Sequence, residues 1–179
     1  GTSKSVAALR SIPGYSVFST AGGGPVRGAK TAANGRGFVV SGFDLYEINT
    51  DGTSTLRGTL LTATSRIGIA ENGNELIVVD GSYGYLFDYG TDVFTQISDP
   101  DFPECDVVTF LDGYFVVPAK GTNNFYISGI LDGSTWETLD FSNAASNPDN
   151  LVSCIADTGN LWLFGTQSTE VFQNTGAEI

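Results

Sequence analysis

The side chains in this sequence that could carry chemistry are almost all carboxylates. The chain has 179 residues, with 20 Asp and Glu, 8 Lys and Arg and no His, for a formal net charge of −12. Without His there is no Ser-His-Asp or Cys-His nucleophile, no imidazole acid–base group and no His-ligated metal. Two Cys fall short of a tetrahedral N/S zinc site. Cys105 and Cys154 lie 49 residues apart in apolar contexts, and they read as buried free thiols rather than as a bridge. Carboxylate chemistry remains: a glycosidase-like pair or an oxygen-ligated cation.

Asp99, Asp101, Glu104 and Asp106 cluster in one stretch that Pro100 and Pro103 stiffen. Their spacing departs from a twelve-residue calcium loop, so they read as a solvated acidic connector, with calcium as the lesser reading. Asp132-Gly-Ser-Thr-Trp136 looks like the Asp-box hairpin of sialidase-type propellers, in which Asp caps a turn and Trp packs beneath it. Trp136 is also the one candidate for a sugar contact. Glu170 has no second carboxylate to work with. Gly22-Gly23-Gly24 lacks the following Lys-Ser/Thr of a phosphate loop and reads as a connector, and Tyr83 and Tyr85 read as singly exposed aromatics. All five Arg, at 10, 27, 36, 57 and 66, precede residue 67, which disfavours an arginine-clamped glycosidase. An acidic chain with scattered basic residues is unsuited to tracking phosphates. No apolar run approaches the roughly 20 residues that cross a bilayer. The expectation is a protein with no catalytic residues, no cofactor, no metal, no membrane span and no direct nucleic-acid contact.

The elements that would carry these residues are strands. Gly makes up 23 of 179 residues, nearly double its usual share of about 7%. Asn34-Gly35, Asp51-Gly52, Asn72-Gly73, Asp80-Gly81, Asp112-Gly113 and Asp132-Gly133 each supply the positive φ of a tight reversal between antiparallel strands. Much of the acidity is therefore turn chemistry. Four segments repeat one order, an apolar strand, an acidic or Asn turn ending in Gly, then a stronger apolar strand. Their turn glycines, 35, 73, 113 and 159, are 38, 40 and 46 residues apart, close to the roughly 40–45 residues of a four-stranded propeller blade.

The fold expected is an all-β, propeller-like array of about four antiparallel four-stranded blades, the last incomplete. A lead-in segment of residues 1–25 precedes blades at 26–61, 65–98, 105–139 and 151–173. The second strand of each blade is the most apolar, which predicts Val39, Ile77, Phe115 and Trp162 as inter-blade core. Tyr15–Ser19 could complete a four-bladed ring, but an arc of a larger propeller fits better, because four blades is the lower limit of the range. An arc leaves a sheet face open at each end for a partner or more chain to cover.

Several stretches resemble a family, the tail accessory or tail hub proteins of short-tailed bacteriophages, which are packaged-DNA stabilisation proteins. They are Leu9-Arg-Ser-Ile-Pro-Gly14; Arg27-Gly28 through Leu45-Tyr46; Tyr126-Ile-Ser128 with Asp132–Trp136 and Leu139-Asp-Phe141 with Ala144; and Leu161-Trp-Leu-Phe-Gly165 with Thr169-Glu-Val-Phe172 and Asn174-Thr-Gly176. The resemblance implies a virion structural protein, made in the host cytoplasm and placed in the tail. Such a protein forms a ring homo-oligomer below the portal and adaptor proteins, closes the DNA channel and presents a surface to tail needle or fibre proteins. Family members are longer, so this chain would correspond to an N-terminal propeller portion. A glycan-binding module, reading receptors through Trp136, is the alternative.

Overall fold

The computed structural model describes residues 14–143 and 149–173. Leu9–Pro13, Ala144 and Asn174–Gly176 of the family-like stretches lie outside the described residues. Every regular element described is a strand, and the strands form four separate antiparallel sheets in simple meander order. Blade one is β1 (Val26–Thr31), β2 (Gly37–Ser41), β3 (Asp44–Ile48) and β4 (Ser54–Thr59). Blade two is β5 (Gly68–Glu71), β6 (Glu75–Val79), β7 (Gly84–Asp88) and β8 (Val93–Gln96). Blade three is β9 (Thr109–Leu111), β10 (Tyr114–Pro118), β11 (Asn124–Gly129) and the long β12 (Asp132–Asn143). Blade four has three strands among the described residues, β13 (Leu151–Asp157), β14 (Asn160–Gly165) and β15 (Thr169–Gln173).

Turn chemistry sets these reversals. Gly35, Gly52, Gly73, Gly81, Gly113 and Gly159 all have positive φ, the conformation that a side chain penalises. Gly133 departs from the expected pattern. The positive φ of its hairpin falls on Leu131, at 54°. Gly133 instead opens β12, where a Cβ would lie 2.7 Å from Leu86 and 3.1 Å from Phe115. Its missing side chain is a packing requirement of the neighbouring blade.

Alternation along the second strands explains how the blades stack, because successive side chains leave opposite faces of a sheet. In β6, Leu76 and Val78 face blade one and pack with Phe38, Val40, Leu45 and Phe87. Ile77 and Val79 face blade three and pack with Phe115, Val117, Cys105 and Trp136. In β10, Val116 turns the other way and meets Leu151, Cys154, Leu161 and Leu163 of blade four. Each blade thus has a front, toward the preceding blade, and a back, toward the following one. Glycines allow close approach at these junctions: a Cβ on Gly58 would overlap the Phe94 ring, and one on Gly84 would sit 2.5 Å from Phe102.

The sheets form an open arc, and the arc decides which expected core residues are buried. Ile77 and Phe115 are fully buried at the junction of blades two and three. Val39 is only half-buried, and Trp162 is 37% exposed. Both lie on the outward face of a terminal blade, where no neighbouring sheet covers them, and their strand-mates Phe38, Val40, Leu161 and Leu163 fill the core instead. Tyr15–Ser19 forms no strand and lies beside blade one: a Cβ on Gly52 would meet the Phe18 carbonyl, and the Ser54 hydroxyl donates to the Thr20 carbonyl at 3.2 Å. Phe115→Ala is therefore expected to cost about 3–5 kcal/mol of stability, as for other buried aromatics. Trp162→Ala should cost about half that or less. Urea unfolding of the two variants beside the parent measures the difference.

Candidate functional site

Several of the described carboxylates serve the fold. Asp132 accepts from the Ser134 amide at 2.8 Å, the Ser134 hydroxyl at 2.6 Å and the Thr135 hydroxyl at 2.5 Å. Asp88 accepts from the Gly90 and Thr91 amides at 2.8 and 2.7 Å, and Asp51 from the Thr53 amide at 2.9 Å. Each is an Asx-type turn whose acceptor replaces a missing ladder bond. Asp149 holds the β14–β15 turn, accepting from the Ser168 hydroxyl at 2.6 Å and from the Gln167 and Ser168 amides. These bonds hold the Asp88, Asp51 and Asp149 carboxyls below the usual range.

The acidic connector works as a wedge between blades two and three. Asp99 accepts from the Asp101 amide at 2.9 Å with one oxygen and from the Trp136 amide at 2.9 Å with the other. Phe102 stands edge-on against the Trp136 ring, with centroids 5.0 Å apart. No group of three or more Asp, Glu, Cys or His is placed to hold a metal among the described residues. Glu170 lies on β15, paired in register with Leu163.

Trp136 is not a sugar platform. It is 2% exposed, inside the core of blades two and three, with its indole N–H donating to the Gly133 carbonyl at 2.8 Å. The Trp beneath an Asp-capped hairpin is a structural plug, and glycan recognition through it has no face to act on. Tyr85 is likewise buried rather than exposed: its hydroxyl accepts from the Leu61 amide at 2.8 Å and donates to Asp80 at 3.2 Å. Tyr83 stays partly exposed.

Two arginines and two carboxylates form a lock between blades one and two that the sequence pattern did not announce. Arg36 Nε and Nη2 donate to the two Glu47 oxygens at 2.7 and 2.6 Å, and Nη2 also reaches Asp92 at 2.7 Å. Arg57 approaches Glu47 at 2.6 Å and Asp92 at 3.3 Å. The Arg36 guanidinium lies 5.2–5.6 Å from the rings of Phe38, Phe87 and Tyr89, within cation–π range. The four charges cancel, so the cluster is tolerated at a half-buried junction. A second clamp is Arg27, whose guanidinium N–H groups reach the Gly42, Thr62 and Ser65 carbonyls and the Thr62 and Ser65 hydroxyls. Glu75 ties blade two to blade three by accepting from the Gly133 amide at 2.6 Å.

Once these residues are assigned to the fold, sheet faces are what the molecule offers to others. The back of blade four carries a cross-strand row, Ile155–Trp162–Val171, which is 51%, 37% and 49% exposed. The front of blade one carries Ala29–Val39–Tyr46–Leu56 in register. Beside this row is a groove of about 550 Å³ lined by residues including Phe18, Val39 and Ile48.

A family model described as Phage_stabilise: Bacteriophage P22 Gp10, beta-propeller, matches residues 2–178. No curated protein matches the chain. Among solved structures, the chain is similar to YCF48 bound to D1 peptide, with 14% identity, a TM-score of 0.62 and coverage of 86% of this chain and 52% of that one. It is also similar to the extracellular domain of the hybrid two-component system BT3049 of B. thetaiotaomicron, with 14% identity, a TM-score of 0.63 and coverage of 97% and 24%. The computationally designed Ika8 protein gives 11% identity, a TM-score of 0.57 and coverage of 83% and 46%. The likeness is one of fold, and this chain spans about half or less of each of those proteins.

Two outcomes test the structural assignment of these side chains. Hydrogen bonds from Arg36, with those from Arg57, hold the Glu47 carboxyl below the usual Glu range. Its stabilising contribution is therefore complete above the ordinary Glu value and is lost as pH falls through the lowered folded-state value. Urea midpoints measured against pH should fall on acidification in the parent, and in Glu47→Gln they should start lower at neutral pH and vary less. Burial pushes the Cys154 thiol up to about 12 and the Cys105 thiol well above its usual value. A thiol-reactive chromophore should then modify neither Cys in native protein and both in denaturant.

Proposed function

This chain belongs to the phage stabilisation family of the Bacteriophage P22 Gp10 β-propeller, and on that premise we propose that it is a virion structural protein of the phage tail that keeps packaged DNA inside the particle. The observation that carries the reading is the family match over nearly the whole chain. The chemistry of the chain supports it: Asp51, Asp88 and Asp132 are bound to amides and hydroxyls of their own loops, and Trp136, the one candidate for a sugar contact, is a core plug.

The mode of retention follows from charge. At −12 the propeller repels a phosphate backbone, so neutralising phosphates is not its means of holding DNA. It acts by obstruction, as part of a tail hub that occupies the channel beneath the portal and adaptor proteins. Blade edges and loops are the contacts for those rings and for the needle or fibre proteins. The ring is a homo-oligomer, assembled in the host cytoplasm and retained in the virion tail.

The experiment is a knockout of the gene in its own phage. Particles without the protein should package DNA and then lose it, leaving empty heads by electron microscopy and nuclease-sensitive genomes. Adding the purified protein before the leak should restore nuclease resistance. Filled, stable particles made without it would overturn the proposal. Failure of the tagged protein to co-purify with portal, adaptor, needle or fibre proteins would remove the hub placement alone.

A further inference from the structure

Two turns carry the dipeptide Asn-Gly, at Asn34-Gly35 and at Asn72-Gly73. In this dipeptide the glycine nitrogen can attack the Asn carboxamide carbon and close a five-membered ring, because no Cβ on the glycine crowds the approach. The two turns share this connectivity but surround the carboxamide differently. At Asn34 the groups that closure needs are committed or missing. The Gly35 amide donates to the Ala32 carbonyl at 2.9 Å. Asn34 Oδ1 accepts one amide, that of Arg36 at 3.0 Å, and its Nδ2 meets no acceptor among the described residues.

At Asn72 each of them is in place. Oδ1 accepts from the Asn74 and Glu75 amides, both at 2.9 Å, which is the spacing of an oxyanion hole. The bond to Asn74 closes a ring that contains the Gly73 nitrogen, so the carboxamide is folded back over that nitrogen. The Gly73 amide donates to no acceptor among the described residues, and Gly73 and Asn74 are exposed. On the far side of the carboxamide, Nδ2 donates to Glu75 Oε1 at 3.0 Å and to the Leu131 carbonyl at 3.2 Å. Burial holds the Glu75 carboxyl above its usual range, and the Asp132 and Asp88 charges add to the effect, so it keeps its proton to higher pH than a surface Glu does.

We propose that Asn72-Gly73 is a self-modifying site, where the chain converts its own Asn72 carboxamide through a cyclic imide into an aspartyl or isoaspartyl link. The Gly73 nitrogen gives its proton to solvent, and its electron pair forms the N–Cγ bond. The charge that collects on Oδ1 is held by the Asn74 and Glu75 amides. The Cγ–Nδ2 bond then breaks, and its electron pair takes a proton from the Glu75 carboxyl, which solvent refills, so that the nitrogen leaves as ammonia. Water adds to one of the two imide carbonyls and opens the ring. The product lacks Nδ2, and with it the bond to the Leu131 carbonyl that joins the blade-two turn to the blade-three hairpin. It also brings a new negative charge beside Glu75, which already faces Asp132. The junction of blades two and three therefore loosens irreversibly with the age of the molecule.

The two Asn-Gly turns make the molecule its own control. The test is incubation of the 179-residue chain at neutral pH in heavy-oxygen water, native and in urea, with peptide mass spectrometry at intervals. In native protein, Asn72 should take up the label at least about tenfold faster than Asn34, the least expected of an oxyanion hole present at one turn and absent at the other. In urea, where both turns are undone, the two rates should converge. Glu75→Gln should slow labelling at Asn72 by about tenfold or more, as for loss of a positioned acid, and leave Asn34 unchanged. Asn72→Gln, whose longer side chain disfavours the ring, should show no label at that position. Far-ultraviolet circular dichroism checks that the variants stay folded, and Glu75→Asp replaces Glu75→Gln if that variant does not. Equal rates in native protein, or faster reaction at Asn34, would overturn the proposal. So would an Asn72 rate that is lower in native protein than in urea, or one that Glu75→Gln leaves unchanged. None of these results depends on the particle assay above.

Discussion

A sheet with two apolar faces is stable only when something apolar lies against each, and this constraint organises the molecule. Blades two and three meet it from both sides. All four residues of β6 from Leu76 to Val79 are buried, as are all four of β10 from Phe115 to Pro118. At roughly 25 cal/mol per Å² of apolar surface removed from water, such strands are where the fold gains its stability. The terminal blades meet the requirement on one side only. Burial in β2 and β14 alternates as in a sheet that faces solvent. The position of a blade in the row, more than the hydrophobicity of its sequence, decides whether a given residue belongs to the core.

Polar side chains handle what stacking leaves over. Reversals between strands expose amides without ladder partners, and short polar side chains at the turns accept many of them, Asp51, Asp88 and Asp132 as carboxylates and Asn34 and Asn72 through their amide oxygens. Between blades one and two the connections are charged. Arg36 and Arg57 share Glu47 and Asp92, and Arg27 gathers three backbone carbonyls from two loops. Between blades two and three the same task falls to single carboxylates, Glu75 and Asp99, that accept amides across the junction. These groups fix the angle of one sheet on the next, which the non-directional apolar contact does not do.

Much of this was legible in the residues alone. Periodic Asn-Gly and Asp-Gly turns and the roughly forty-residue spacing predict strands in the order found, the meander connection and a last blade that has three strands among the described residues. The Asp132–Trp136 hairpin read correctly as a capped turn over a plug. What the pattern could not supply was the side of the sheet. Val39 and Trp162 have the composition of core residues and occupy core-like strands, but they lie on the faces where the row stops. Tyr85 looked like a surface aromatic, because nothing local shows that Leu61 and Asp80, 24 and 5 residues away, converge on its hydroxyl. The lock around Glu47 was equally hidden. Arg36, Arg57 and Asp92 come from three different strands or turns, and only the packing of two blades brings them together.

The meander order has a mechanical corollary. Because each sheet is sewn from consecutive residues and leans only on its neighbours, disruption need not spread through the whole body at once. A tug on the chain would peel an end sheet away from its one supporting neighbour before disturbing the doubly supported pair in the middle. Among the four described sheets, opening therefore starts at the outer two, and any further chain or partner that covers them sets how much strain the inner pair ever feels.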